Sequence, residues 1–312
     1  MIIGIMFAII SGLLWGLIFV GPLLIPEYPS ILQASGRYIA FGLISLPLSW
    51  YNRKYLRQLL LQDWLEAIKL VVTGHLIYYT CLTCAIQRIG APISTAIIGT
   101  IPLTLTIVTF IFYPDKKISK NTLLISLFLI GTGLLCVNIS ELQYKKCIFS
   151  IWQYISGIIL AIASVLCWTW YALRNTYWLK THPSCKPMTW ANVQGIVILP
   201  LSCLIYFLVC TLYPNLTQEE FKLPFGPRPI FFILLMIIIG FCCSWLGTFF
   251  WNEASQRLPA TLIGPLIIFE TISGLIYSFI HRRSWPSPLI IVGIFLLLSG
   301  VTYITKIYKN TH

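Results

Sequence analysis

Ten apolar runs, each about as long as a helix needs to cross a membrane, constrain this chain more than any other feature. A hydrocarbon core about 30 Å thick takes about 20 helical residues. Within it every backbone polar group must be satisfied internally, which leaves helices or closed barrels. Runs bounded by charge or proline clusters lie near residues 2–23, 31–50, 65–86, 91–113, 121–139, 152–173, 189–213, 230–252, 260–280 and 287–306. The third is the least clean, because Glu66 and Lys69 fall in its first turns. These two are expected at the interface, paired or snorkelling. The first run lacks a basic leader and a small-residue cleavage site, so a removable signal peptide is not expected.

Composition excludes the competing classes. Only 10% of the residues are charged, against about 25% in soluble domains, and the shortage extends over the whole chain. That argues against a soluble enzyme on a single anchor. The net charge of +12 sits in short clusters between apolar runs, where it orients helices rather than forming a face for nucleic acid. Most of the ten cysteines lie inside apolar runs and read as small hydrophobes. Cys81-x-x-Cys84 has no second pair and no His at ligand spacing, so no metal site is expected. No phosphate loop, nucleophile elbow or His-Glu-x-x-His motif is present, so neither catalysis nor a cofactor is expected.

The two halves resemble each other. Ile10-Ser11 through Trp15 matches Ala163-Ser164 through Trp168 at an offset of 153, which also sets Leu46-Pro47-Leu48-Ser49 on Leu199-Pro200-Leu201-Ser202. Gln87-Arg88 matches Gln256-Arg257 at an offset of 169, as Gly131 matches Gly300. Five spans per half is an odd number, so the second copy inserts upside down, as in many secondary transporters. The expected fold is therefore an all-α integral membrane protein of ten transmembrane helices in two inverted five-helix repeats, residues 1–140 and 150–308. Lys and Arg counts favour both termini in the cytoplasm, twelve against seven, with Arg282-Arg283 dissenting.

The sequence resembles the EamA-type branch of the drug/metabolite transporter superfamily. Gly12-Leu-Leu-Trp15-Gly16 with Phe19-Val20, Arg37-Tyr38, Gln87-Arg88 through Pro102, and Glu270 carry the resemblance. It implies a central cavity open alternately to each side, formed mostly by spans one, three, four, six, eight and nine. It also implies transport of amino acids, other metabolites, drugs or sugar phosphates. The second half departs from the pattern. Glu270 is followed by Thr271 rather than Pro, which puts the local kink there in doubt, whereas Pro102 is kept in the first half.

Polar groups at membrane depth usually face the bundle interior. Glu270 reads as a proton- or cation-binding carboxylate, or as a lock between helices. Arg37 reads as a bidentate holder of a substrate carboxylate, or as a residue that snorkels toward Glu27. His75 reads as a titrating group or an interhelical hydrogen bonder. Trp50, Trp64, Trp152, Trp178 and Trp285 fit a headgroup belt, whereas Tyr78, Tyr79 and Trp245 lie mid-span. Pro92, Pro102, Pro259 and Pro265 are expected to break spans four and nine. The candidate substrate-binding set is Trp15, Arg37, Tyr78, Tyr79, Trp168, Tyr171, Trp245 and Glu270. The expected function is alternating-access export of small metabolites, amino acids foremost, across the inner (cytoplasmic) membrane. Multidrug efflux is the alternative, with a membrane enzyme or receptor behind it. The expected partners are a small solute and the bilayer, with no nucleic acid, and the chain is expected as a monomer or homodimer.

Overall fold

The computed structural model describes residues 1–112, 119–143, 150–212 and 223–310. The loop charges Lys116, Lys117, Lys145, Lys146 and Lys222 lie outside these segments. Among the described residues, nine helices are long and apolar enough to span a bilayer: Ile2–Leu24, Ser30–Tyr51, Leu61–Ile89, Lys120–Ser140, Ile151–Thr181, Pro187–Leu212, Pro229–Arg257, Thr261–Arg282 and Pro288–Tyr308. Ile101–Phe112 is a shorter apolar helix and completes ten. The chain is thus an all-α multi-pass membrane protein of the expected architecture.

Helix pairing follows the repeat. Spans two and seven, four and nine, and five and ten pack directly on their own counterparts, while spans three and six pair as do eight and one. Single hydrogen bonds obey the same two offsets. Ser11 Oγ donates to Gly247 O at 2.9 Å, and its counterpart Ser164 Oγ donates to Tyr78 O at 3.1 Å. Small residues permit the close contacts along this axis. A Cβ on Gly42 would lie 2.9 Å from the carbonyl oxygen of its counterpart Gly195. Where spans five and ten cross, Cβ atoms on Gly133 and Gly293 would each lie 2.8 Å from the other's carbonyl oxygen.

Interruptions of the helices are also shared. π-helical turns occupy Val72–Ile77 in span three and Gly240–Leu246 in span eight, equivalent positions under the 169 offset. Each widens the helix and turns the following residues onto a new face. Leu258 and Pro259, both extended, separate spans eight and nine, so Pro259 marks a connection rather than a break within span nine. Span nine itself is interrupted at Ile267, ahead of Glu270. The helix is thus interrupted ahead of Glu270, two residues after Pro265, without a proline following Glu270. In the first half no break occurs at Pro92. The helix runs from Tyr78 through Ile98 and yields only at Gly99 and Thr100. Span four thus begins as a continuation of span three's helix.

Candidate functional site

Two cavities meet at one carboxylate. The smaller encloses about 310 Å³ at the centre of the bundle and is lined by Trp15 and Ile18 of span one, Arg37 and Tyr38 of span two, Gly74, His75 and Tyr78 of span three, Trp168 of span six, Cys243 and Thr248 of span eight, and Glu270. The larger, about 840 Å³, lies between spans one, three, four and nine, and leads from Glu270 past Phe19, Ile98, Pro102 and Ser278 to the exposed Arg282. Glu270 is 5% exposed, and its carboxylate makes no hydrogen bond or ion pair among the described residues.

The central cavity has a charged wall and an aromatic wall. Arg37, 5% exposed, donates from Nε to Ser244 Oγ at 2.8 Å, and its guanidinium lies 4.8 Å from the Tyr79 ring centroid and 5.1 Å from that of Tyr38. It does not snorkel toward Glu27, whose carboxylate pairs with Arg228 instead. In the aromatic wall, Trp168 stacks between Tyr78 and Tyr171, with ring centroids 5.6 and 4.8 Å away. Trp15 meets Trp168 edge-on at 5.1 Å, so the repeat-related tryptophans do share one depth.

Five of the eight candidate residues therefore line the central cavity: Trp15, Arg37, Tyr78, Trp168 and Glu270. Tyr79 and Tyr171 stand directly behind it, against Arg37 and Trp168. Trp245 lines neither cavity. Its Nε1 donates to Asn192 Oδ1 at 2.7 Å, and its ring stacks on Phe241 and Phe249. Its expected place rested on mid-span depth, which does not say which face of the helix the ring takes; it does share a face with Phe249, as expected. Trp178 is likewise not a headgroup anchor. It is 5% exposed, stacks on Trp190 at 3.4 Å and donates to Asp63 Oδ1 at 3.2 Å.

Sequence reasoning missed Thr248, Tyr38 and Cys243 as lining residues, and missed a polar chain that leads away from His75. His75 Nε2 lies 3.2 Å from Gln194 Oε1, an acceptor that also receives the Tyr171 hydroxyl at 3.1 Å. Gln194 Nε2 and Trp190 Nε1 donate to Asn175 Oδ1 at 3.0 and 2.8 Å, and Asn175 Nδ2 donates to Asn252 Oδ1 at 2.8 Å. Asn252 Nδ2 reaches Pro187 O at 3.4 Å. Asn175, Trp190, Gln194 and Asn252 are all fully buried. Beside them Arg174 pairs with Glu66, which also lies 3.9 Å from Lys69. These contacts, with Phe7 stacked on Phe250, fill the end of the bundle nearest the chain termini. The larger cavity reaches toward the opposite end.

The EamA-like transporter family matches this chain twice, over residues 2–139 and 155–306. The chain belongs to that family. It is 51% identical over 303 residues to the inner membrane protein YtfF of Escherichia coli (strain K12), a match covering 96% of this chain and 94% of the relative. It also superposes on a solved structure described only as "Crystal structure of protein", with a TM-score of 0.73 at 14% identity, covering 98% of each chain. That likeness speaks to fold alone. As an EamA-like transporter with an inner-membrane relative, the protein is a multi-pass membrane transporter of the inner membrane.

Proposed function

We propose that this transporter is a secondary carrier that exports small amphipathic metabolites, amino acids foremost, by alternating access between its halves, residues 1–140 and 150–308. The observation that supports it is the central cavity, where a buried guanidinium, Arg37, and a buried carboxyl group, Glu270, line one space with stacked aromatic rings. Small-molecule sites have this composition, apolar walls with a few placed polar groups. The cavity communicates past Glu270 with one end of the bundle, while buried polar contacts fill the other. With the termini in the cytoplasm, as the loop charges favour, the open side faces outward and the filled side inward.

Trp15, Arg37, Tyr78, Trp168 and Glu270 are the proposed solute-contacting residues, supported by Tyr79 and Tyr171. No bond is made or broken, and neither ATP nor a metal is required. Counterflow in proteoliposomes across a panel of metabolites tests this. Flux of at least one amino acid, reduced by Glu270→Gln, is expected. Absence of flux for every solute in the panel refutes the carrier.

A second reading rests on the larger cavity. Its apolar walls end at a carboxyl group that makes no hydrogen bond among the described residues, an arrangement that suits a lipophilic cation. Overexpression that raises resistance to several unrelated cationic drugs, without changing amino acid release, decides for it.

A further inference from the structure

Unpaired hydrogen-bond donors are rare in protein interiors, because each carries the full cost of lost hydration. Three of the residues lining the central cavity hold such atoms: Arg37 Nη1, Trp168 Nε1 and Thr248 Oγ1 are all buried with no partner. They come from spans two, six and eight. Other unpaired atoms, such as Ser94 Oγ and Ser202 Oγ, line neither cavity.

The repeat makes the case of Trp168 informative. Its counterpart Trp15 is satisfied, donating from Nε1 to Cys243 O at 2.8 Å. The acceptor equivalent to Cys243 under the 169 offset is the carbonyl of Gly74. Tyr171 crowds that position so closely that a Cβ on Gly74 would lie 2.2 Å from its ring, and Trp168 Nε1 makes no bond. One tryptophan of the pair is therefore structural, while the other keeps a free donor at the cavity.

We infer that Arg37, Trp168 and Thr248 form a cradle for a carboxylate, and that the solute is a compact zwitterion whose cationic end lies toward Glu270. This rests on the carrier reading above and names the substrate class of its site. Three donors, one of them a guanidinium, suit an anionic group with several acceptor oxygens. A carboxylate fits better than a phosphate dianion, because Glu270 shares the cavity and would repel a second negative charge. The same carboxylate attracts an ammonium or quaternary ammonium group, which the Tyr78 and Trp168 ring faces also favour.

The test is counterflow in proteoliposomes with L-phenylalanine, L-leucine, L-threonine and glycine betaine. Each amino acid is compared with its amide and with the acid lacking its amino group. Thr248→Val and Trp168→Phe each remove one donor while keeping the shape. For the zwitterion that is carried, each variant is expected to raise KM roughly tenfold, the usual scale for a lost bond to a charged group. KM for any amide still carried, whose neutral carbonyl makes a weaker bond to the same donors, is expected to rise several-fold less than for the zwitterion. Equal effects on zwitterion and amide would make the donors structural and overturn the cradle. So would carriage of amines or neutral solutes alone, which leaves the carrier itself intact. Absence of flux for every probe refutes the carrier reading along with the cradle.

Discussion

Asn175→Leu is the most informative single change at the filled end of the bundle. The side chain of Asn175 accepts from Trp190 and Gln194 and donates to Asn252, at 2.8, 3.0 and 2.8 Å. Leucine preserves the volume and leaves three groups without a partner, each fully buried. At about 1 kcal/mol per buried unsatisfied group the cost is about 3 kcal/mol. Hydrogen bonds measured within membranes average about 0.6 kcal/mol, which lowers the total to about 2 kcal/mol. The network joins spans six, seven and eight at the end that, under the proposed alternating access, parts when the carrier turns inward. There the orphaned groups would meet water and recover hydration, so the cost falls on the closed state. At 1.4 kcal/mol per tenfold, the balance shifts about thirtyfold or more toward opening at that end. The reporter is Cys185, half-buried in the connection between spans six and seven. Its maleimide labelling, followed by mass spectrometry beside a thermal unfolding scan, is expected to quicken as the unfolding temperature falls. A fall in stability without faster labelling would refute the idea that this network seals the end.

Further expectations follow from individual contacts. Burial, and secondarily Asp63, push the Cys185 thiol up to about 12. Its alkylation by iodoacetamide should therefore be slow at neutral pH and keep rising through pH 10, whereas an ordinary thiol levels off near pH 9. Gly133→Ala should destabilise the protein by about 1–3 kcal/mol, because the new methyl meets Gly293 O at 2.8 Å. Gly131→Ala, whose nearest neighbour is 3.8 Å away, should leave thermal stability unchanged; equal effects would refute the close crossing. Trp15→Phe, which removes the Trp15 Nε1 bond to Cys243 O, should lower the unfolding temperature more than Trp168→Phe, which breaks no hydrogen bond.

Hydropathy and the internal offsets carried the architecture, because membrane solvent enforces helix length and because the repeat copies whole residues such as Trp15 and Trp168. The interior was legible where mid-span depth coincided with the inward face, as at Trp15, Tyr78 and Trp168. It failed at Trp245, since depth in a span does not tell which face of the helix a side chain takes. Trp178 misled for another reason: a tryptophan near a helix end reads as a headgroup anchor unless its partners are known, and Asp63 and Trp190 come from other spans. Thr248 gave no signal at all. A threonine is common in membrane helices, and only its place at the cavity together with its unpartnered hydroxyl sets it apart in three dimensions.

Glu270 borders both cavities, and this shapes what genetics can resolve. Any allele at that position is pleiotropic, because it alters the central cavity and the route to it together. Thr248 borders only the central cavity and Ser278 only the larger one. Alleles at these two positions should fall into separate classes, one changing which solutes are chosen and the other how quickly they pass. In combination, their effects should multiply.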